Sequence, residues 1–235
     1  MDPHVLKTLN AARRERVAAV LVTDLADGRD RVVREGEDVP GRLGEAIAAR
    51  LASGKAGTEA IDGVEFFLNP HPPAARLVLI GAVHISQALA PMARACDLDV
   101  TVIDPRTAFA TPERFRGTEL IAEWPDEALA SRPLDRHTAL AALTHDPKID
   151  DGPLAAALAA GCHYVGALGS RRTHAARVER LAAAGVSPDA LDRIEAPIGL
   201  DIRAASPAEI AVAVLGSVIR SRRRMGSASS AEPAG

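Results

Sequence analysis

Polar residues gather directly after short apolar runs in this 235-residue chain, and their types suit a phosphorylated guest. Leu77-Val-Leu-Ile80 runs into Gly81-Ala-Val-His84-Ile-Ser86, the start of a nucleotide-binding fingerprint. Such a fingerprint has the form G-x-G-x-x-G/A and is followed about 20 residues on by an acid that reads a ribose. Gly81 supplies the first glycine and Ser86 the small third residue. Asp104 stands 104 − 81 = 23 residues on, at the end of Val100-Thr-Val-Ile103. The middle glycine is replaced by Val83, whose Cβ obstructs the approach of a pyrophosphate to the backbone. Asp104 therefore reads either as a ribose or hydroxyl acceptor or as a turn stabiliser ahead of Pro105. Arg106 reads either as a partner for a second phosphate or as the ion-pair partner of Asp104.

Two further clusters repeat the pattern. Thr144-His145-Asp146 closes the run from Thr138, and His145 has three readings: general base, donor to a bound ligand, or cap of the next helix. His84 either faces the ligand or covers the start of its helix. Gly166, Gly169, Ser170, Arg171 and Arg172 follow Tyr164-Val165. Glycines, a hydroxyl and paired guanidiniums at a helix N-terminus make an oxyanion or phosphate cradle, because backbone N–H groups point outward there and guanidinium binds phosphate bidentately. Cations at that end oppose the helix dipole, which favours an anion site over a plain turn. Asp201, after Ile198-Gly-Leu200, belongs to a loop that either closes over the pocket or simply connects two elements.

The elements needed to place these residues alternate. Strands are expected at Leu77–Ile80, Val100–Ile103, Glu119–Ala122, Thr138–Thr144 and Tyr164–Leu168, with helices at Ile85–Cys96, Pro125–Ala130, Pro153–Ala160 and Arg172–Ala184. Strand–helix alternation with wholly apolar strands implies an α/β fold with a Rossmann-like, doubly wound parallel sheet. In such a sheet ligands bind beyond the carboxyl ends of the strands, where all of these residues fall. Ser206-Pro-Ala-Glu209 is a capping box that begins the last helix. Gly185 suits the left-handed position after Ala184. Asp150 or Asp151 is expected to cap the helix that follows them, Pro153–Ala160, and Pro91 either to bend the helix after the fingerprint or to leave its first turn irregular.

Residues 1–73 read as a small α+β module: a hairpin from Val17–Thr23 to Arg31–Arg34, a helix from Leu43 to Leu51, a strand at Val64–Leu68, and a proline-rich linker at Asn69–Pro73. Residues 74–225 form the Rossmann-like domain, and 226–235 a Gly/Ser/Ala tail expected to be disordered. A net charge of −3 argues against a general nucleic-acid binder. The basic run Arg220–Arg224 suits the C-terminal end of a helix dipole. Cys96 and Cys162 form no CxxC pair, so no metal site or disulfide framework is indicated. No apolar run approaches the roughly 20 residues of a membrane span, and no signal-peptide pattern opens the chain. A cytoplasmic location is expected.

Taken in order, Gly81-Ala-Val-His84, Val102-Ile-Asp104-Pro-Arg106 with Phe109 and Arg114-Phe115, Thr144-His-Asp146, Tyr164 through Arg171, and Ile198-Gly-Leu-Asp201 resemble the XdhC/CoxI (CoxF) family. The resemblance runs from about Arg76 to Arg220. It implies a Rossmann-like domain that binds molybdenum cofactor (molybdopterin), protects it, assists its sulfuration and hands it to an apo molybdenum hydroxylase of the xanthine dehydrogenase type. Cofactor chaperoning rather than catalysis is the expected role, with a cysteine desulfurase as a further candidate partner; the N-terminal module is either a dimerisation surface, giving a homodimer, or a client-docking surface. The family's fingerprint usually reads G-A-G-H, where this chain has Val83. Many members carry an N-terminal glycine–cysteine segment, whereas residues 1–75 here contain no cysteine. A second reading from another class is an NAD(P)-dependent oxidoreductase using the same pocket, with His145 as acid/base.

Overall fold

The computed structural model describes residues 2–225. It separates into two compact units, one of residues 2–74 with the end of the last helix from Arg223, the other of residues 75–222.

The first unit contains α1 (Pro3–Arg14), β1 (Ala19–Asp24), β2 (Asp30–Arg34), α2 (Gly41–Ser53), β3 (Gly57–Ile61) and β4 (Val64–His71). The strands form an antiparallel sheet in the order β2-β1-β4-β3. Its core joins Val20, Val22, Val33 and Leu68 to Ile47 of α2, while Ala19 packs with Leu9 and Ala12 of α1. Two elements are additions to the sequence reading. Asp2 caps α1 by accepting from His4 N at 2.7 Å, with Pro3 at the first helical position. β3 joins β4 through Asp62-Gly63, both at positive φ, the signature of a two-residue hairpin turn. The expected linker at Asn69–Pro73 is corrected: Asn69, Pro70 and His71 continue β4 and pair with Leu21, Val20 and Ala19. β3 ends opposite Leu68, so beyond it β4 has an open flank, the kind of position where proline is tolerated.

The second unit contains β5 (Arg76–Ile80), α3 (His84–Ala95), β6 (Asp99–Ile103), β7 (Glu119–Ile121), α4 (Pro125–Ser131), β8 (Thr138–Ala142), α5 (Pro147–Ala159), β9 (Tyr164–Ala167), α6 (Arg171–Ala183), α7 (Pro188–Leu191), β10 (Ile194–Glu195) and most of α8 (Pro207–Met225). Its parallel sheet has the order β10-β9-β8-β5-β6-β7, as a doubly wound fold requires. The inner strands β5, β6, β8 and β9 are largely buried on both faces, and residue parity sorts them. Leu77, Leu79, Val100, Val102, Ala139 and Ala141 pack with α3 and α8, whereas Val78, Ile80, Ile103, Leu140 and Ala142 pack with α5 and α6. Winding reverses between β5 and β8: the chain moves outward through β6 and β7, then returns to the other side of β5. In doubly wound sheets such a reversal, at the carboxyl ends of the strands, is where ligands bind.

Several boundaries shift. β8 ends at Ala142 rather than Thr144, and α5 begins at Pro147 rather than Pro153. The cap of α5 is Asp146, which accepts from Lys148 N at 3.0 Å, and neither Asp150 nor Asp151. Proline at the first helical position fixes the start there. Pro91 lies inside α3 and Pro153 inside α5. β10 and α7 are additions. Glu209 closes the expected capping box, its carboxylate accepting from Ala205 and Ser206 N at 2.8 and 2.9 Å. The tail at 226–235 lies outside the described residues.

Candidate functional site at the strand reversal

The loops after β5 and β8 meet at the reversal. Gly81 has φ +111, and a Cβ there would lie 2.6 Å from Thr144 Cγ2, so only glycine fits. Ser86 is fully buried and donates its hydroxyl to the carbonyl of Gly81, which folds the fingerprint loop back onto the first turn of α3. Val83 occupies the N-cap of α3 in extended conformation and provides no side-chain acceptor. Its side chain packs against the core on the α3 side of the sheet. By contrast, α5 and α6 are capped by Asp146 and Ser170. The first turn of α3 therefore keeps outward-pointing amides that no capping side chain satisfies. His84 opens this helix and is exposed.

Asp104 does not present a free carboxylate to this loop. It is fully buried, and both oxygens are engaged. Oδ1 accepts from Arg106 N and Nε, each at 2.9 Å; Oδ2 accepts from Ala82 N at 2.7 Å and Arg106 Nη2 at 2.8 Å. These bonds fill the roughly four acceptor sites of a carboxylate. Burial acts to raise the Asp104 pKa, but the Arg106 bonds and the two amides outweigh it and hold the carboxyl below its ordinary value. Of the alternatives read from the sequence, this geometry is the Asp104–Arg106 ion pair, and no acceptor is left for a ribose hydroxyl. Phe109 stacks on the Arg106 guanidinium at 4.7 Å. Arg114 completes the clamp. Its Nη1 donates to the carbonyls of Ala82 at 3.0 Å and Phe109 at 2.7 Å. Ala82 is thus held at both its N–H and its C=O by the loop that follows β6.

The β8–α5 loop is organised by Asp150. Thr144 Oγ1 donates to Asp150 Oδ1 at 2.7 Å, and His145 N to Oδ2 at 3.0 Å. Asp146 N returns to Thr144 Oγ1 at 3.0 Å. This web holds His145 in the left-handed region at φ 63 with its ring exposed. Burial raises the Asp150 pKa to about 6 against the opposing effect of its hydrogen bonds and of Arg177. Burial and the positive charge of Arg177 keep the His145 imidazole below its ordinary pKa, hence neutral at pH 7.

On the far side of β8, the turn after β9 carries Gly169 at φ +139 and Ser170, whose hydroxyl accepts from Thr173 N at 3.2 Å. Arg171 and Arg172 are exposed in the first turn of α6. Gly166 lies lower, inside β9, paired with Ala141 and Glu195. A Cβ there would strike Tyr164 Oη at 2.6 Å and Ile198 Cγ1 at 2.7 Å, so its smallness serves packing rather than the cradle. Asp201 is exposed beyond β10, three strands from β5, and is not gathered with the others.

Two residues of the site carry no site assignment from sequence reasoning. Asp150 reads from the sequence only as a helix cap, although it lies four residues after Asp146 and so one turn into the same helix. Arg177 lies four residues before the core residue Leu181, so it occupies the buried stripe of α6. A charge on that stripe is the available signal. Among the described residues no group of three or more His, Cys, Asp or Glu is placed to hold a metal ion.

A doubly wound sheet with an uncapped fingerprint helix at its reversal defines a Rossmann-type domain. Residues 77–218 match the XdhC Rossmann domain, and the chain belongs to that family. It is 32% identical over 160 residues to a probable xanthine dehydrogenase subunit of Bacillus subtilis, covering 68% of this chain and 46% of that one. It is 31% identical over 146 residues to the molybdenum cofactor insertion chaperone PaoD of Escherichia coli, covering 62% and 40% respectively. The crystal structure of a xanthine dehydrogenase from Bacillus halodurans shares the fold, with a TM-score of 0.64 at 24% identity over 94% of this chain and 63% of that one. The chain thus spans less than half the length of these two curated relatives. Among the described residues no helix is long and apolar enough to cross a membrane.

Proposed function

We propose that this chain is a maturation factor that binds molybdenum cofactor at the strand reversal and assists its sulfuration and insertion into a xanthine dehydrogenase-type hydroxylase. The observation that carries the reading is the match of residues 77–218 to the XdhC Rossmann domain. A relative named as a molybdenum cofactor insertion chaperone supports it. The site chemistry fits the organic part of the cofactor, a polar, phosphorylated tricycle. Uncapped amides of α3 and the amides and guanidiniums opening α6 suit its anionic group. Neutral His145 supplies a hydrogen-bonding edge. The metal itself would remain on the cofactor's own ligands, and a cysteine desulfurase would be the source of sulfur. Handover from such a site needs no covalent attachment to the protein.

The dinucleotide alternative has less support. Val83 stands where pyrophosphate approaches the backbone, and the ribose-reading acid is spent on Arg106. The decisive measurement is titration of the purified protein with molybdopterin, followed by activation of an apo-hydroxylase. Saturable binding and a gain in hydroxylase activity are expected. Absence of both overturns the proposal.

A further inference from the structure

Arg177 is the least satisfied polar group of the site. It is 2% exposed, and among the described residues only Nη2 has a hydrogen-bond partner, the carbonyl of Leu168 at 2.9 Å. Nε and Nη1 are buried with no hydrogen-bond partner among the described residues. Buried polar groups are normally bonded, and an unpaired buried donor costs about 1–3 kcal/mol, more when charged. A fold that keeps such a group keeps a positive field at that place.

The place is the turn that launches α6. The bond to Leu168 O draws the guanidinium beneath Gly169, and a Cβ on Gly169 would lie 3.8 Å from Arg177 Nη2. Charged and titratable neighbours come from every element packed around it. From α5, Asp150 and Asp151 attract it; from α6, Arg180 opposes it and His174 lies alongside; from the β8–α5 loop comes His145. The carboxylates are committed elsewhere. Asp150 is held by Thr144 and His145 N, and Asp151 by Arg180 at 2.6 and 3.1 Å. Burial first, and the Arg177 charge second, keep both imidazoles below their ordinary pKa. Nδ1 of His174 is itself buried and unpartnered among the described residues.

We infer that Arg177 is the fixed cation beneath an oxyanion site at the N-terminus of α6, and that this site takes a phosphate group. The guest's phosphate sits over the Gly169–Ser170 turn, bonded by the Arg171 and Arg172 amides, since the Thr173 amide is held by Ser170, and charged from below by a guanidinium that solvent does not screen. Exposed Arg171 and Arg172 attract the anion from outside but are screened by salt, so they contribute less. The assignment rests on the proposed function in one respect: it gives the phosphate of the pterin guest to this turn rather than to the first turn of α3.

Inorganic phosphate is the first probe, because it tests the site without the cofactor. Thermal melting is followed in phosphate and in chloride of equal ionic strength, for the wild type, Arg177→Met, Arg177→Lys and the Arg171→Ala/Arg172→Ala pair. Phosphate raises the melting temperature of the wild type and of the double variant, raises it less in Arg177→Lys, and leaves Arg177→Met unmoved. Arg177→Met itself melts no lower than the wild type in chloride, since it removes an unsatisfied charge. Molybdopterin binding weakens about 10- to 100-fold in Arg177→Met, the range of a lost charged interaction. Should Arg177→Met fail to fold, amide NMR of the wild type decides: phosphate must shift the Gly169, Ser170 and Arg171 signals, and no such shift overturns the inference. An unchanged phosphate response in folded Arg177→Met also overturns it. If molybdopterin binds wild type and Arg177→Met equally, the inference falls and the proposed function stands. If phosphate binding depends on Arg177 while molybdopterin does not bind, the site stands and the cofactor reading falls.

Discussion

Replacing Asp150 with asparagine separates a pH-dependent contribution to stability from a fixed one. In the folded protein the Asp150 pKa is raised to about 6, against 3.8 for the free side chain. The folded state therefore holds this proton more tightly than the unfolded state does. Stability from this group is complete below pH 3.8 and is lost as pH rises through about 6. Roughly two pKa units correspond to about 3 kcal/mol. The asparagine cannot titrate and lacks this loss. It keeps an oxygen for the Thr144 hydroxyl but turns its NH2 toward the amide of His145, which forfeits that bond at a fixed cost of about 1–3 kcal/mol. Urea unfolding of both proteins from about pH 4 to pH 7.5 should show the difference moving in favour of the variant by about 2 kcal/mol as pH rises, part of the full effect being already lost at pH 4. At the acid end the variant is the less stable, and by neutral pH the gap has closed or reversed. His145 and His174 titrate in both proteins and largely cancel. A difference that stays flat across the range, or moves the other way, refutes the claim that burial governs Asp150.

Other substitutions probe the frame of the site. Gly81→Ala should lower stability by at least about 2 kcal/mol in chemical denaturation, since the new methyl meets Thr144 at positive φ; an unchanged midpoint contradicts that contact. Asp104→Ala should cost about 2–4 kcal/mol, toward the lower side of a broken buried pair because Arg106 is partly exposed. The Asp104 carboxyl lies below its ordinary value, so that contribution is present above pH 3.8 and fades on acidification below it, and the gap to the wild type should narrow there. Val83→Gly alone should not produce saturable NADH binding by fluorescence titration, because Asp104 remains occupied by Arg106. Tight binding by that single variant would show that the acid is free to read ribose.

The sheet is legible in the sequence because its strands are uninterrupted apolar runs ended by glycine and polar residues, and because strand and helix alternate. β10 escapes such a reading because Ile194-Glu195 is too short to show a pattern. β3 does so because Thr58 and Glu59 hide its alternation, although Asp62-Gly63 is a strong hairpin signal. The boundary of α5 depends on choosing among Asp146, Asp150 and Asp151, each able to cap a helix; Pro147 decides for Asp146. At the site, sequence spacing locates the loops but not the bonding within them. Asp104 and Arg106 offer two partnerships each, and only the folded geometry shows them joined to one another. Arg177 looks like one arginine among many on a basic helix, and only its burial distinguishes it.

Gly81, Arg106, His145 and Gly169 come from the ends of β5, β6, β8 and β9, strands that are neighbours in space but drawn from both halves of the winding. On the proposed reading, a truncation before residue 169 would remove one wall of the site. Occupancy would staple the two halves together, and amide exchange should then slow across the central strands as a block instead of at one loop.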